Sequence, residues 1–276
     1  MKLTTALALF VLAIASTAAA QQRPAAAAPA IADDPAKKPT PKLLDGHPDL
    51  NGYWAIGRGP DTPVNSEFGE RNPFIKRGDW RNAREAYADP NQPPYKPELK
   101  AKVEELAKTE SKTDQAFFCK PGGVPRIGPP HAIVQAPGMP IVFLYQLGAG
   151  NTFRQVPVSA KHDETAIGIG DLYNGDSIAH WDGNTLVVET EAFNSETWIG
   201  IYGWFHSDKM KVVERISRVG DTLHYQATVD DPEDFTRPWT MNPWVSVKTS
   251  ERIIENPPCV ETDFNSLTSL DEKTKR

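Results

Sequence analysis

Residues 174–231, NGDSIAHWDGNTLVVETEAFNSETWIGIYGWFHSDKMKVVERISRVGDTLHYQATVDD, decide the fold. Three strand-like runs stand in this stretch, at 177–181, 185–193 and 210–219, and a fourth follows at once at 222–230. Asp182-Gly183-Asn184 separates the first pair and Gly220-Asp221 the last. Tight turns of this composition between alternating runs specify antiparallel neighbours. The middle of the chain therefore predicts a meander.

Working outward, 131–135, 141–147 and 152–156 read as further strands, the first two joined by a Pro137-Gly138-Met139-Pro140 turn. A first short strand follows Asp45-Gly46, with Leu50, Tyr53, Trp54 and Ile56. Residues 239–254 supply one or two last strands, and Pro243 forces a break or an edge there. About nine or ten regularly spaced short strands predict a mainly β domain, an antiparallel β-barrel (lipocalin-like) or a sandwich. The barrel is favoured because closure leaves no edge exposed. One peripheral α-helix is expected over PELKAKVEELAKTES, opened by Pro97, with Leu99, Val103 and Leu106 on one face. Residues 58–97 read as a long loop with a helical turn at 80–87.

The ends carry a different signal. Lys2, the apolar run LTTALALFVLAIAS and Ala18-Ala19-Ala20 match a secretory signal peptide over 1–20, cleaved after Ala20. Residues 21–42 are rich in alanine, proline and charge and read as a flexible, disordered linker. A single β domain over 43–264 and a polar tail over 265–276 complete the organisation. The expected location is periplasmic or secreted. In an oxidising compartment the only two cysteines, Cys119 and Cys259, are expected to bridge. Two buried free thiols are the alternative.

The full chain has 30 basic and 36 acidic side chains; without Lys2, 29 basic remain and the balance is −7. Mild acidity argues against nucleic acid, which rewards basic patches, and against anionic membrane surfaces. No run after the leader is long enough to span a bilayer.

Several blocks occur together: PDLNGYW at 48–54, YKPELKAKVEEL at 95–106, FCKPGGVPRIGPP at 118–130, GDSIAHWDGNTLVVETEAFN at 175–194, HSDKMKVVERISR at 206–218 and DDPEDFTRPW at 230–239. In this order they resemble a family of exported proteins of proteobacteria and acidobacteria. The resemblance implies no named reaction. This chain departs from the family pattern at His180, where glycine is usual. Gly52-Tyr53-Trp54 also resembles the first-strand motif of lipocalin-like barrels. That resemblance implies a tryptophan that plugs one barrel end beneath an arginine from a late strand, for which Arg252 is the matching candidate.

The residues that could carry chemistry are few. In TLVVETEAF, alternation sets Leu186, Val188, Thr190 and Ala192 against Val187, Glu189, Glu191 and Phe193. The glutamates read as solvent-facing, or as carboxylates in a pocket with raised pKa. Glu214-Arg215 reads as a cross-strand charge partner, and Asp230-Asp231-Pro232 as a capped turn. Five of the seven tryptophans fall in or near the meander. Trp181, Trp198, Trp204 and Trp239, with Tyr202, are the candidate ligand-binding residues, or else simply core. His206 and His162, with Asp176 and Asp208, are the candidate acid–base groups, or else polar loop residues. No metal-ligand spacing, nucleophile elbow, phosphate cradle or dinucleotide fingerprint occurs, so no metal and no cofactor is expected.

These readings predict a barrel that binds a small apolar or aromatic molecule in an aromatic-lined interior. A cofactor-independent lyase, isomerase or hydrolase with His/Asp groups at the barrel mouth is the second expectation. An envelope interaction module, with a filled interior and an exposed apolar patch, is the third.

Overall fold

The computed structural model describes residues 34–55, 89–147, 150–159, 161, 162, 165, 172–256 and 259. All of them belong to the compact unit that begins at Asp33. The predicted leader, the helical turn at 80–87 and the polar tail lie outside the described residues.

Ten strands form: β1 Gly52–Ala55, β2 Ala132–Val134, β3 Ile141–Leu147, β4 Gly150–Val156, β5 Asp176–Asp182, β6 Thr185–Glu191, β7 Lys211–Val219, β8 Thr222–Asp230, β9 Trp239–Thr240 and β10 Trp244–Thr249. Nine follow one path, β4-β3-β2-β1-β10-β8-β7-β6-β5, with β9 beside β8. Every ladder is antiparallel. The path curls back on itself: beyond β4, Val158 meets Ala179 of β5 in a parallel bridge. The sheet is thus a nearly closed barrel, as the spacing of strands and turns predicts.

Alternation explains the inside. Leu186, Val188 and Thr190 of β6 are buried, as are Val212, Glu214, Ile216 and Arg218 of β7 and Leu223, Tyr225, Ala227 and Val229 of β8. The intervening Val213, Arg215 and Val219 of β7 are exposed. A period-2 pattern faces one side to the core and the other to water.

Two glycines are required by geometry. Gly220, at φ 58°, makes the two-residue turn between β7 and β8, where Val219 pairs with Thr222. A Cβ there would also strike the carbonyl oxygens of Pro35 and Lys38. Residues 34–42, the end of the stretch read as a linker, are held at this turn. Asp221 N–H donates to Pro35 O (2.8 Å), Gly220 N–H to Thr40 Oγ1 (2.8 Å), and Lys38 pairs with Asp221 (2.8 Å).

The predicted helix begins as a 3-10 turn at Pro97–Leu99 and continues as α1, Lys100–Lys108, with one further turn, α2, Glu110–Thr113. Leu99, Val103 and Leu106 pack against the core, the face predicted from their spacing. The contact depends on Gly203, at φ 75°, whose missing Cβ would run into the Val103 carbonyl and the Ala107 amide (2.8 Å). Gly203→Ala is therefore expected to destabilise the protein by more than about 1 kcal/mol, by urea titration. A loss below that would mean that α1 is not seated here.

Cys119 and Cys259 are disulfide-bonded across a sequence separation of 140, with Cα atoms 5.7 Å apart. Among the described residues no helix is long and apolar enough to cross a membrane, which says nothing about strands.

Candidate functional site

The barrel interior has three levels. At the floor, Trp54 of β1 is 1% exposed and donates its indole N–H to Leu50 O (3.0 Å). The Arg218 guanidinium lies 5.3 Å from the Trp54 ring centroid. Arg218 donates to the carbonyls of Asp49 and Gly220 (2.7 Å) and to Asp221 (3.1 Å). A late-strand arginine over the first-strand tryptophan is thus present, but it is Arg218 of β7; Arg252 is exposed.

The middle level is polar, a feature that strand spacing and turn composition do not reveal. Arg154 of β4 and Glu214 of β7 form a bidentate ion pair, at 3.0 and 2.6 Å, in the barrel centre. Arg154 also donates to Tyr145 Oη (3.2 Å), Ser177 Oγ (2.8 Å) and Thr190 Oγ1 (2.9 Å). Tyr225 donates to Glu214 (3.0 Å). One network therefore ties together six strands, β3 to β8. Arg154 is 5% exposed and Glu214 fully buried. Burial alone would lower the Arg154 pKa, and the adjacent Glu214 charge more than reverses this, so its pKa is raised. Burial holds the Tyr145 and Tyr225 hydroxyls protonated, well above their ordinary range. Phe143, Leu186, Val188 and Ile216, fully buried, share the inward faces of the same strands.

The carboxylate at the barrel centre is Glu214, not the two glutamates of β6. Glu189 faces outward beside His180 (3.3 Å), and Glu191 faces outward to Lys211 (2.7 Å). Arg215 pairs with Asp182 on the surface (2.7 Å), as a cross-strand partner should.

The roof is aromatic. The loop from Phe193 to His206 folds under α1, with a bridge between Trp198 and Phe205. Trp204 stands edge-on to Trp239, centroids 5.5 Å apart, and Tyr95 contacts both Phe205 and Phe235. Trp198, Tyr202, Trp204 and Trp239 are at most 4% exposed. Four of the five predicted ligand residues thus share one end of the barrel and belong to one hydrophobic cluster. Trp181 does not join them. It is half-buried and stacked on His47, centroids 4.5 Å apart and planes 10° from parallel.

The four acid–base candidates do not form one cluster among the described residues. His162 Nδ1 lies 2.7 Å from Asp176 Oδ2, and both are partly buried. Asp176 pairs in register with Glu191, on the outward parity of β5 and β6. Asp208 is exposed and bonded to Lys209 (3.0 Å). His206 is buried, between Thr197 Oγ1 at 2.7 Å and the Ser207 carbonyl at 2.8 Å. Its Nδ1–H donates to that carbonyl, so Nε2 accepts from the threonine. Burial lowers its pKa and keeps the ring neutral. Asp231 caps its turn, accepting from Ser207 N–H (2.8 Å), Ser207 Oγ–H (2.7 Å) and Asp234 N–H (3.2 Å).

Asp234 is the unusual acid at the roof. Its carboxyl is pushed up to about 6, first by burial and then by the Asp231 charge, against Lys102. The folded state then holds a proton that the unfolded state, with an ordinary value near 3.8, has lost. Stability from this group grows as pH falls through about 6 and is lost as pH rises through it. Asp234→Asn is expected to raise the melting temperature at pH 7.5 and to leave it unchanged at pH 4. Equal effects at both values would refute the shift.

On the outer face, Tyr53, Ala132, Leu144 and Phe153 form one row across β1 to β4. Phe153 and Tyr53 are exposed, as are the nearby Val134 and Met139. No metal-binding group of three or more His, Cys, Asp or Glu occurs among the described residues. No family model, curated protein or solved structure matches the chain.

Proposed function

We propose that the protein binds a small molecule with an apolar or aromatic body, and that the ligand meets the barrel at its roofed end. The observation that carries this reading is the asymmetry of the interior. The floor is stoppered by Trp54 and Arg218, and the middle is filled around Arg154 and Glu214. The remaining end is closed by a loop and a short helix, which open more readily than a strand ladder. It also gathers Trp198, Tyr202, Trp204, Phe205 and Trp239, side chains of the kind that line ligand pockets. The reading places the protein outside the cytoplasm; the Cys119–Cys259 bond supports that location, as does the leader-like N-terminus.

Tryptophan fluorescence tests it. Titrating the chain from Gln21 with aromatic and aliphatic compounds should shift emission and raise the melting temperature. Trp204→Phe should weaken the same ligands by about tenfold if the ring is a contact. A set of diverse hydrophobic compounds that leaves both signals unchanged would remove the proposal.

A further inference from the structure

Among the described residues, the ladder that closes the barrel is a single bridge. β4 and β5 meet in backbone where Ala179 N–H donates to Pro157 O (2.8 Å) and Ser159 N–H to Ala179 O (3.2 Å). Toward the roof, the described contacts across this seam are made by side chains. Arg154 Nη2 donates to Ser177 Oγ (2.8 Å), and Asn174 Nδ2 to Thr152 Oγ1 (3.3 Å).

Two buried polar atoms beside this upper seam have no partner among the described residues: the Arg154 Nε–H donor and the Asn174 Oδ1 acceptor. They belong to one neighbourhood. Asn174 is bonded to Thr152, and Thr152 and Arg154 are successive inward residues of β4. A buried donor or acceptor left unmade costs about 1–3 kcal/mol, so unpaired groups of this kind are rare. The rest of the guanidinium is saturated by Glu214, Tyr145, Ser177 and Thr190.

We propose that the upper β4–β5 seam is the head-group site of the ligand, and that it takes an uncharged group bearing both a hydrogen-bond acceptor and an N–H donor, as an amide does. The inference rests on the binding reading above and names the polar half of the same ligand. The acceptor of the amide receives Arg154 Nε–H, and its N–H is given to Asn174 Oδ1. Charge is excluded by what is already there. Glu214 matches the guanidinium in bidentate fashion, so a carboxylate would be buried beside Glu214 and an ammonium beside Arg154. Entry requires the parting of the Asn174–Thr152 contact and the Arg154–Ser177 contact, with no backbone ladder to unzip there among the described residues. Phe193 joins the seam to the roof: a Cβ on Gly175 would lie 2.9 Å from its ring, and its centroid is 5.9 Å from that of His206. A head in the seam thus places an aromatic body at the roof.

Four probes of one size decide it on the unmodified protein: benzamide, benzoate, benzylamine and toluene, titrated by ligand-observed NMR. Benzamide should bind about tenfold more tightly than each of the other three, the value of one satisfied buried hydrogen-bond pair. Asn174→Ala should shrink the preference for benzamide without abolishing it, because the Arg154 Nε–H bond remains, and leave toluene unchanged. Toluene binding with no preference for benzamide would overturn the head-group site and leave the binding reading standing. Benzoate or benzylamine binding most tightly would overturn the argument from charge, and with it the site. If none of the four binds, both readings fall together. Because the preference is read on the wild-type chain, a variant that fails to fold leaves the decision intact.

Discussion

Replacing Glu214 by alanine is expected to cost about 3–5 kcal/mol of folding stability, because it strands the Arg154 charge in the barrel centre. Arg154 and Glu214 are both buried, and they meet at 2.6 and 3.0 Å. The loss is large against a typical total of about 5–15 kcal/mol for a folded domain. It does not follow that the pair itself contributes that much. Desolvating two ions opposes their attraction, so the double variant Arg154→Met/Glu214→Leu should fall well short of the sum of the single losses. Glu214→Gln keeps the shape and an acceptor for Tyr225 but removes the charge, and should lie between wild type and Glu214→Ala. Urea titration at neutral pH reads wild type, Glu214→Ala, Glu214→Gln, the single variants Arg154→Met and Glu214→Leu, and the double variant.

The same variant has a local signature. Arg154 donates to Ser177 across the seam, where backbone pairing among the described residues is one bridge long. Hydrogen exchange in β4 and β5 should therefore accelerate more than in the β7–β8 ladder, which pairs nine residues on each side. A Glu214→Ala protein that loses less than about 1 kcal/mol would mean that the charges reach water, and the description of the middle layer would be wrong.

The strands were legible because two local signals agree along most of the chain: alternation of period two and glycine-rich turns at its breaks. Both signals state which residues share a face, and neither states what they meet across the barrel. The polar layer was hidden for that reason. Glu214 has the parity of Val212 and Ile216, and Arg154 that of Val156, so each is a charge on an otherwise buried face. Parity marks them, whereas composition points to Glu189 and Glu191, which have the opposite parity to Leu186 and Val188. The floor arginine shows the same limit. A late-strand arginine was expected over Trp54, and Arg218 fills that place because it lies on the inward parity of β7. Arg252 lies beyond β10. The acid–base candidates stand out in the sequence by residue type near loops. His206 has the right chemistry, but Thr197 and Ser207 occupy both of its nitrogens. Type can be read from sequence, whereas the partners come from residues distant in the chain or from backbone carbonyls.

Removing the Cys119–Cys259 bond should cost about 2–5 kcal/mol, the upper figure coming from the entropy of a loop of this length in the unfolded chain. The two half-cystines are 140 residues apart in sequence, so the reduced unfolded chain gains a large freedom that the oxidised one lacks. The folded side changes less. The segment after β10 has other anchors: Asn151 Nδ2 donates to Ile254 O (2.8 Å), Gln146 Nε2 to Asn256 Oδ1 (3.1 Å), and Asn256 to the Leu147 carbonyl. Cys119 closes a 3-10 turn whose own contacts persist, among them the bidentate Arg126–Asp114 pair at 2.7 and 2.6 Å. The double variant Cys119→Ser/Cys259→Ser should therefore keep its native spectrum while its urea midpoint falls. Wild type treated with reductant should move to the same midpoint. Peptide mapping without reductant should show the 119–259 pair in wild type. A midpoint that does not move, with the pair present, would show that the unfolded chain keeps these two regions together without the bond, and the entropic account of its contribution would fail.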